Sequence, residues 1–274
     1  MTTPLGIITP VVTLNPRAHN AWEETAGLAE LVTIAETADR LGYHHLTCSE
    51  HVAVPVDAAS TRGGRYWDPL ATFGYLAART EQIKLATHVV VLGYHHPFEI
   101  VKRYGTLDVV SAGRLVLGVG VGSLSEEFAL LDAPFDDRGA RADESIRELR
   151  RAFGQREVDG FVIDPAGLQA PPPIWIGGRT SRSLRRAVEL GDGWVPFGLT
   201  MEEVARKLQR VDHDALDVVL WPEPAVDPID EPDRFVTQVG DAVAAGATIV
   251  NLRFSSRSLA HHLELMEAAI DVGD

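Results

Sequence analysis

Short apolar runs alternate with stretches of helical period along the whole chain. The first run, residues 5–12, is rich in β-branched side chains and ends among Pro10 and Pro16. Beyond it Leu28, Leu31, Val32, Ala35, Ala38 and Leu41 recur at i, i+3, i+4, i+7 spacing, which predicts a helix stopped by Gly42. Residues 45–51 read as the second strand. Asp68-Pro69, an N-cap followed by a first-turn proline, opens the second helix. The third pair is strand 83–92 with helix 97–111, and the fourth is strand 114–122 with helix 143–153. Residues 154–170 show little periodicity and read as a loop. Strands 173–177, 193–197, 217–221 and 248–254 then alternate with helices 181–190, 202–211, 233–245 and 259–270. A proline- and acid-rich turn, 222–232, separates two of these elements.

Eight strands and eight helices in strict β-then-α order predict parallel strands joined by crossover helices. Eight such pairs in ~250 residues match a single α/β barrel, the (β/α)8 or TIM type, better than an open doubly wound sheet. No repeat, low-complexity tract or linker marks a boundary, so residues 1–274 read as one domain with short insertions.

Composition narrows the partners. The 25 basic and 39 acidic side chains leave a formal charge of −14, and no cluster of five or more Lys or Arg occurs. Nucleic-acid backbones and anionic membrane surfaces are therefore poor partners, and a small organic molecule is the expected one. A lone cysteine, Cys48, excludes an internal disulfide and any multi-cysteine metal site. The first ten residues lack a basic, apolar leader pattern, and no apolar run approaches the ~18 residues of a membrane span. A cytoplasmic protein is the expectation.

In such barrels chemistry gathers at the C-terminal ends of the strands. The second strand ends in Ser49-Glu50-His51, and period-two geometry puts Thr47, Ser49 and His51 on one face, with Leu46 and Cys48 on the other. His51 is a candidate acid or base at neutral pH, set against a plain hydrogen-bonded histidine. The fourth strand places Gly118, Gly120 and Gly122 on one face, which leaves room for a flat ring or a phosphate, or else merely eases packing. Gly177-Gly178-Arg179-Thr180-Ser181 runs from a strand into a helix N-terminus. Backbone amides, hydroxyls and Arg179 there suit a phosphate, against simple capping by Thr180 or Ser181. His44 and His45 point to opposite faces of their strand, His95-His96 precede Pro97, and His261-His262 read as a solvated helix face.

Taken in order, these segments resemble the luciferase-like monooxygenase superfamily, and within it the actinobacterial deazaflavin (coenzyme F420)-dependent oxidoreductases. The similarity rests on Leu41-Gly42-Tyr43, Ser49-Glu50-His51, Asp68-Pro69-Leu70, Lys84 to Leu92 with His96-Pro97, and Thr106-Leu107-Asp108. It continues through Ser111 to Gly122, Arg138-Gly139, Pro172 to Gly178 and Gly191-Asp192-Gly193-Trp194. The resemblance implies a barrel of the bacterial luciferase-like type that holds a deazaflavin or flavin ring at its mouth and transfers a hydride to or from a small organic substrate.

By resemblance, Glu50 and His51 are the acid–histidine pair near the ring, with His51 the proton carrier. Ser49, Thr87, His88 and Val89 border the ring, with a non-prolyl cis peptide matching His88-Val89. Gly120 and Gly122 line the ring or its chain, and Gly177, Gly178, Arg179, Thr180 and Ser181 form the phosphate site. The implied cofactor is coenzyme F420, with FMN the alternative; the other readings are an FMN-dependent monooxygenase using molecular oxygen and a non-catalytic flavin-binding barrel. The resemblance also allows a homodimer. Two positions depart from the pattern. Ser123 stands where a deazaflavin-dependent sugar-phosphate dehydrogenase has a functional glutamate, and Val121 where bacterial luciferase has a phosphate-contacting arginine. Residues 154–170 are short where relatives carry insertions that shape the substrate pocket.

Overall fold

A computed structural model describes residues 3–168 and 171–273. Residues at the ends of the expected 1–274 domain, and the last two of the expected 154–170 loop, thus lie outside the described residues. The strands are β1 (Leu5–Ile7), β2 (His45–Cys48), β3 (Lys84–Thr87), β4 (Val90–Val91), β5 (Leu115–Gly120), β6 (Glu157–Val158), β7 (Phe161–Val162), β8 (Ile174–Gly177), β9 (Gly193–Val195), β10 (Asp217–Leu220) and β11 (Ile249–Leu252). The helices are α1 (Leu28–Arg40), α2 (Val56–Arg62), α3 (Pro69–Ala77), α4 (Pro97–Val110), α5 (Ser125–Leu130), α6 (Arg138–Ala152), α7 (Ser181–Leu190), α8 (Met201–Leu208), α9 (Pro232–Ala244) and α10 (Leu259–Gly273).

The sheet closes on itself. Its order runs β3-β2-β1-β11-β10-β9-β8-β5, the β3–β5 pairing completes the ring, and every barrel pairing is parallel. Counting β3 and β4 as two halves of one strand gives the eight positions of a (β/α)8 barrel. The expected strand 83–92 is split because its register on β5 slips. Leu85↔Leu115 and Ala86↔Val116 come before the break, Val90↔Val119 and Val91↔Gly120 after it. One extra residue therefore sits on the β3–β4 side, a bulge of the kind that re-aims side chains at barrel rims. The His88–Val89 peptide within it is cis.

Two apolar layers follow from strand alternation. Ala86, Val116, Trp175, Val195, Val219 and Ile249 fill the barrel interior. Outward residues such as Leu46, Leu85, Leu117 and Ile176 meet the helices, where α1 contributes Leu31, Ile34, Ala35 and Ala38. Each buried Leu or Ile there is worth roughly 1.5–3 kcal/mol. Gly42, at φ 77°, ends the α1 hydrogen-bonding run. Asp68 caps α3, its carboxylate accepting from Ala71 N–H at 2.8 Å.

The eight expected helices are present as α1, α3, α4 and α6–α10, but α6 starts at Arg138 and not at residue 143. Two short helices, α2 and α5, occupy connections after β2 and β5 at the C-terminal face. The stretch expected to be a loop holds an antiparallel hairpin, β6–β7. It follows α6 and precedes β8, so it belongs to the face opposite the strand C-termini and does not border the mouth. There it packs on the lower half of α4: Lys102 Nζ donates to Asp164 O, Asp108 Oδ2 accepts from Leu168 N–H at 3.0 Å, and a Cβ at Gly105 would lie 2.6 Å from the Ala166–Gly167 backbone. Among the described residues no helix is long and apolar enough to cross a membrane.

Candidate active site at the barrel mouth

His51 lies three residues past the end of β2, and its ring is fixed from two sides. Tyr66 meets it edge-on at 4.5 Å between centroids, and its Nδ1 lies 2.7 Å from Glu127 Oε2. Glu127 sits on α5, its side chain wholly buried. The same carboxylate accepts from Tyr94 Oη (2.7 Å), Val52 N–H (2.5 Å) and Ala53 N–H (3.1 Å). Burial by itself would raise the Glu127 pKa, but the hydrogen bonds from His51, Tyr94 and Ala53 outweigh it and hold the group below the usual carboxylate range. An ionised carboxylate only accepts, so His51 carries its proton on Nδ1 and presents Nε2 without a partner among the described residues.

Glu127 is the functional candidate that the sequence reading missed. Ser123 indeed supplies no acid; its hydroxyl accepts from Arg62 at 3.1 Å. An acid comes from four residues further on. The available signal was Glu127-Phe128, an acid beside an aromatic in the connection after β5, at the C-terminal face.

Glu50 goes elsewhere. The two consecutive side chains of Glu50 and His51 do not pair: Glu50 Oε1 meets His95 Nε2 at 2.7 Å, and Oε2 accepts from Val91 N–H at 2.7 Å. Past the end of β2 the two side chains diverge, Glu50 toward β4 and His95, and His51 toward α5.

The glycines of β5 are explained by the chain itself. A Cβ at Gly118 would lie 1.9 Å from Thr87 O, and one at Gly120 would lie 2.6 Å from the Val89 side chain. At Gly122, φ is 76° and a Cβ would meet Phe128 and Val91. Val89 and Phe128 thus stand directly against these glycines. Val89 also fills the space beside Gly177, at 2.8 Å from a Cβ there. Thr87 donates to Gly118 O at 2.7 Å, and Ser49 Oγ donates to His88 O at 2.8 Å. Both polar residues therefore hold the bulged strand in place.

The N-terminus of α7 separates its expected roles. Thr180 is the cap, its Oγ1 accepting from Ser183 N–H at 3.1 Å. Gly178, at φ 137°, makes the turn, and its carbonyl accepts from Trp194 Nε1 at 2.9 Å. Ser181 Oγ accepts from Lys207 Nζ at 3.3 Å. Arg179 is exposed and makes no ion pair among the described residues. Two cations, Arg179 and Lys207, therefore stand near the positive end of this helix, while Arg182 turns to Asp143 on α6 at 3.8 Å.

Between the ends of β1, β2 and β11 lies a cavity of about 140 Å³, lined in part by Thr47, Ser49, His88, Arg253 and His262. His88 packs edge-on to Trp221 at 5.6 Å, and burial pushes its pKa down to about 4. His262 was expected on a solvated face with His261. Both are buried instead, because the start of α10 leans over β11: His262 Nδ1 lies 3.2 Å from Ser256 Oγ, and His261 Nδ1 accepts from Arg257 N–H. A second hollow of about 400 Å³ follows β9 and β10, between Pro196 and Glu223.

A family model described as luciferase-like monooxygenase matches residues 9–223. A 4-hydroxyprotoasukamycin monooxygenase of Streptomyces nodosus subsp. asukaensis is 32% identical over 61% of this chain and 46% of its own length. The oxygenase component of a flavin-dependent trigonelline monooxygenase from Acinetobacter baylyi is 29% identical over 65% of this chain and 51% of its own. The chain thus spans about half the length of these two enzymes. An F420-dependent secondary alcohol dehydrogenase, solved with an F420–acetone adduct, shares the fold at a TM-score of 0.74, covering 100% of both chains at 14% identity.

Proposed function

The chain belongs to the luciferase-like monooxygenase family, whose members are flavin- or F420-dependent oxidoreductases, and from that premise we propose that it transfers a hydride between coenzyme F420 and a small organic substrate. The observation that carries this reading is His51, held through Nδ1 by a buried, ionised Glu127 with Nε2 left free at the barrel mouth. The residues present fit such a cofactor. An anionic tail finds the α7 N-terminus with Arg179 and Lys207 beside it, a local positive site in a chain of net charge −14. The ring, when bound, supplies the hydride chemistry. His51 supplies or takes the matching proton at Nε2, Glu127 fixes its tautomer and orientation, and Val89 gives the mouth an apolar wall. The F420-dependent dehydrogenase, matched end to end, supports the deazaflavin. The flavin-dependent trigonelline monooxygenase and the 4-hydroxyprotoasukamycin monooxygenase support the second reading, FMN with molecular oxygen. Fluorescence titration of the protein with F420 and with FMN tests the choice. F420 bound at least tenfold more tightly than FMN is the expected result, and the reverse preference replaces this reading with the second.

A further inference from the structure

Five described residues, Thr13, His45, Asn251, Arg253 and His262, carry buried side-chain polar atoms that have no hydrogen-bond partner, and three of them share one cavity. Thr13 Oγ1, Arg253 Nε and His262 Nε2 all belong to residues lining the 140 Å³ cavity. Asn251, with both amide atoms unpartnered, lies two residues before Arg253. Its register partner on β1 is Gly6, and Ile249 below it belongs to the barrel interior. Period two therefore stacks Ile249, Asn251 and Arg253 on the inward face, from the apolar floor to the rim. Buried polar groups ordinarily find partners, so a cluster without them marks where a polar ligand belongs.

The charges decide what kind of ligand. Arg253 is the sole Lys or Arg on the cavity wall; its backbone carbonyl accepts from Val226 N–H, but its buried side-chain Nε has no partner among the described residues. Glu23, the one wall carboxylate, is already occupied: it accepts from Val11 N–H, Asn20 N–H and Asn20 Nδ2. His88 and His262 are neutral, each with its pKa pushed by burial to about 4. His19 has its pKa raised by its bond to Asn15 O and by Glu24, and so adds no negative charge. An inward guanidinium that no carboxylate among the described residues pairs with matches a planar, two-oxygen anion. The space suits a head of about benzene size, since a cavity of ~150 Å³ takes benzene.

We propose that this cavity receives the carboxylate end of the substrate, held by Arg253 with Thr13 and His262 as neutral partners, so that the enzyme acts on small organic acids. This deepens the proposed function and rests on it for the redox step alone.

The test uses the cofactor-free protein and two probes of one shape, benzoate and benzamide, followed by calorimetry. Benzoate is expected to bind at least tenfold more tightly than benzamide. Arg253→Met, which keeps the stem and removes the charge, erases that preference, and Arg253→Lys keeps part of it. Equal binding of the two probes, or an unaltered preference in Arg253→Met with an unchanged melting curve, overturns the proposal. F420 and FMN titrations of Arg253→Met are expected within about twofold of the parent protein. A tenfold loss there assigns Arg253 to the cofactor and overturns the proposal as well. The two readings fail separately. Benzoate preference in a protein that binds neither F420 nor FMN removes the proposed function and keeps the acid site; tight F420 binding without benzoate preference does the opposite.

Discussion

Two histidine–glutamate pairs in this barrel share one hydrogen-bond distance, 2.7 Å for His51–Glu127 and 2.7 Å for His95–Glu50. Both carboxylates are buried, and both histidines are mostly so. They differ in what the other ring nitrogen does. His95 faces Glu50 through Nε2 and Glu99 through Nδ1, at 3.8 Å, so both nitrogens look at acids. His51 keeps Nε2 open. The carboxylates differ as well. Glu50 ties the end of β2 to Val91 in β4 and to the approach to α4, which makes it a strut between neighbouring strands. Glu127 gathers His51, Tyr94 and the turn after β2 onto one short helix. The same pairing is thus structural where both nitrogens are committed and suited to proton transfer where one is free.

The sharpest way to break this contrast is His51→Ala. Turnover with reduced F420 and an accepted substrate is expected to fall by ~100-fold or more, the usual worth of a positioned acid or base, with the melting curve unchanged. A rate within a few-fold of the parent removes His51 from proton transfer. Glu127→Gln should come next. It leaves the imidazole in place but lets it turn, and misplacement of this kind costs up to ~100-fold in kcat while the cofactor Kd holds. An equal effect on both would make Glu127 a general support of the mouth.

Glu50→Leu should invert the pattern. It strands Val91 N–H and His95, so a stability loss of about 1–3 kcal/mol is expected in urea unfolding, with kcat of the folded enzyme within about threefold. A large loss of kcat would return Glu50 to the catalytic role the sequence resemblance implied.

The smallest effect is in pH dependence. Burial lowers the His95 pKa, but the bond to Glu50 and the charges of Glu50 and Glu99 more than offset it, leaving it above 6.5. A histidine raised on folding stabilises the native state fully below its unfolded pKa, and that contribution is lost as pH climbs through the folded one. Glu127, lowered below 4.5, contributes in the opposite direction and loses its share as pH falls through its folded pKa. The parent's margin in urea midpoint over His95→Gln should therefore shrink between pH 6 and pH 8, while His88 and His262, lowered on folding, raise both proteins alike over the same range.

Much of this architecture could be read from local pattern. Helical spacing marked α1, Asp68-Pro69 marked α3, and the strict alternation of elements implied the barrel. What escaped was carried by long-range pairing or by short elements. Glu127 reaches His51 across 76 positions from a helix of six residues, too short for any period to register. Adjacent histidines on α10 looked solvated because one helix face says nothing about a strand end packed over it. The β5 glycines stood out in the sequence, but the close approach of Thr87 and Val89 that requires them could not be read there.

Val89 makes those glycines interdependent. Its two methyl branches occupy the places where side chains at Gly120 and Gly177 would stand, Cγ2 against the first and Cγ1 against the second. A methyl group introduced at either position has to displace the same valine, and once it is displaced the second position meets less resistance. The two sites should therefore not drift independently through sequence change: losses at one lower the cost of a loss at the other, and shortening residue 89 to alanine opens both at once.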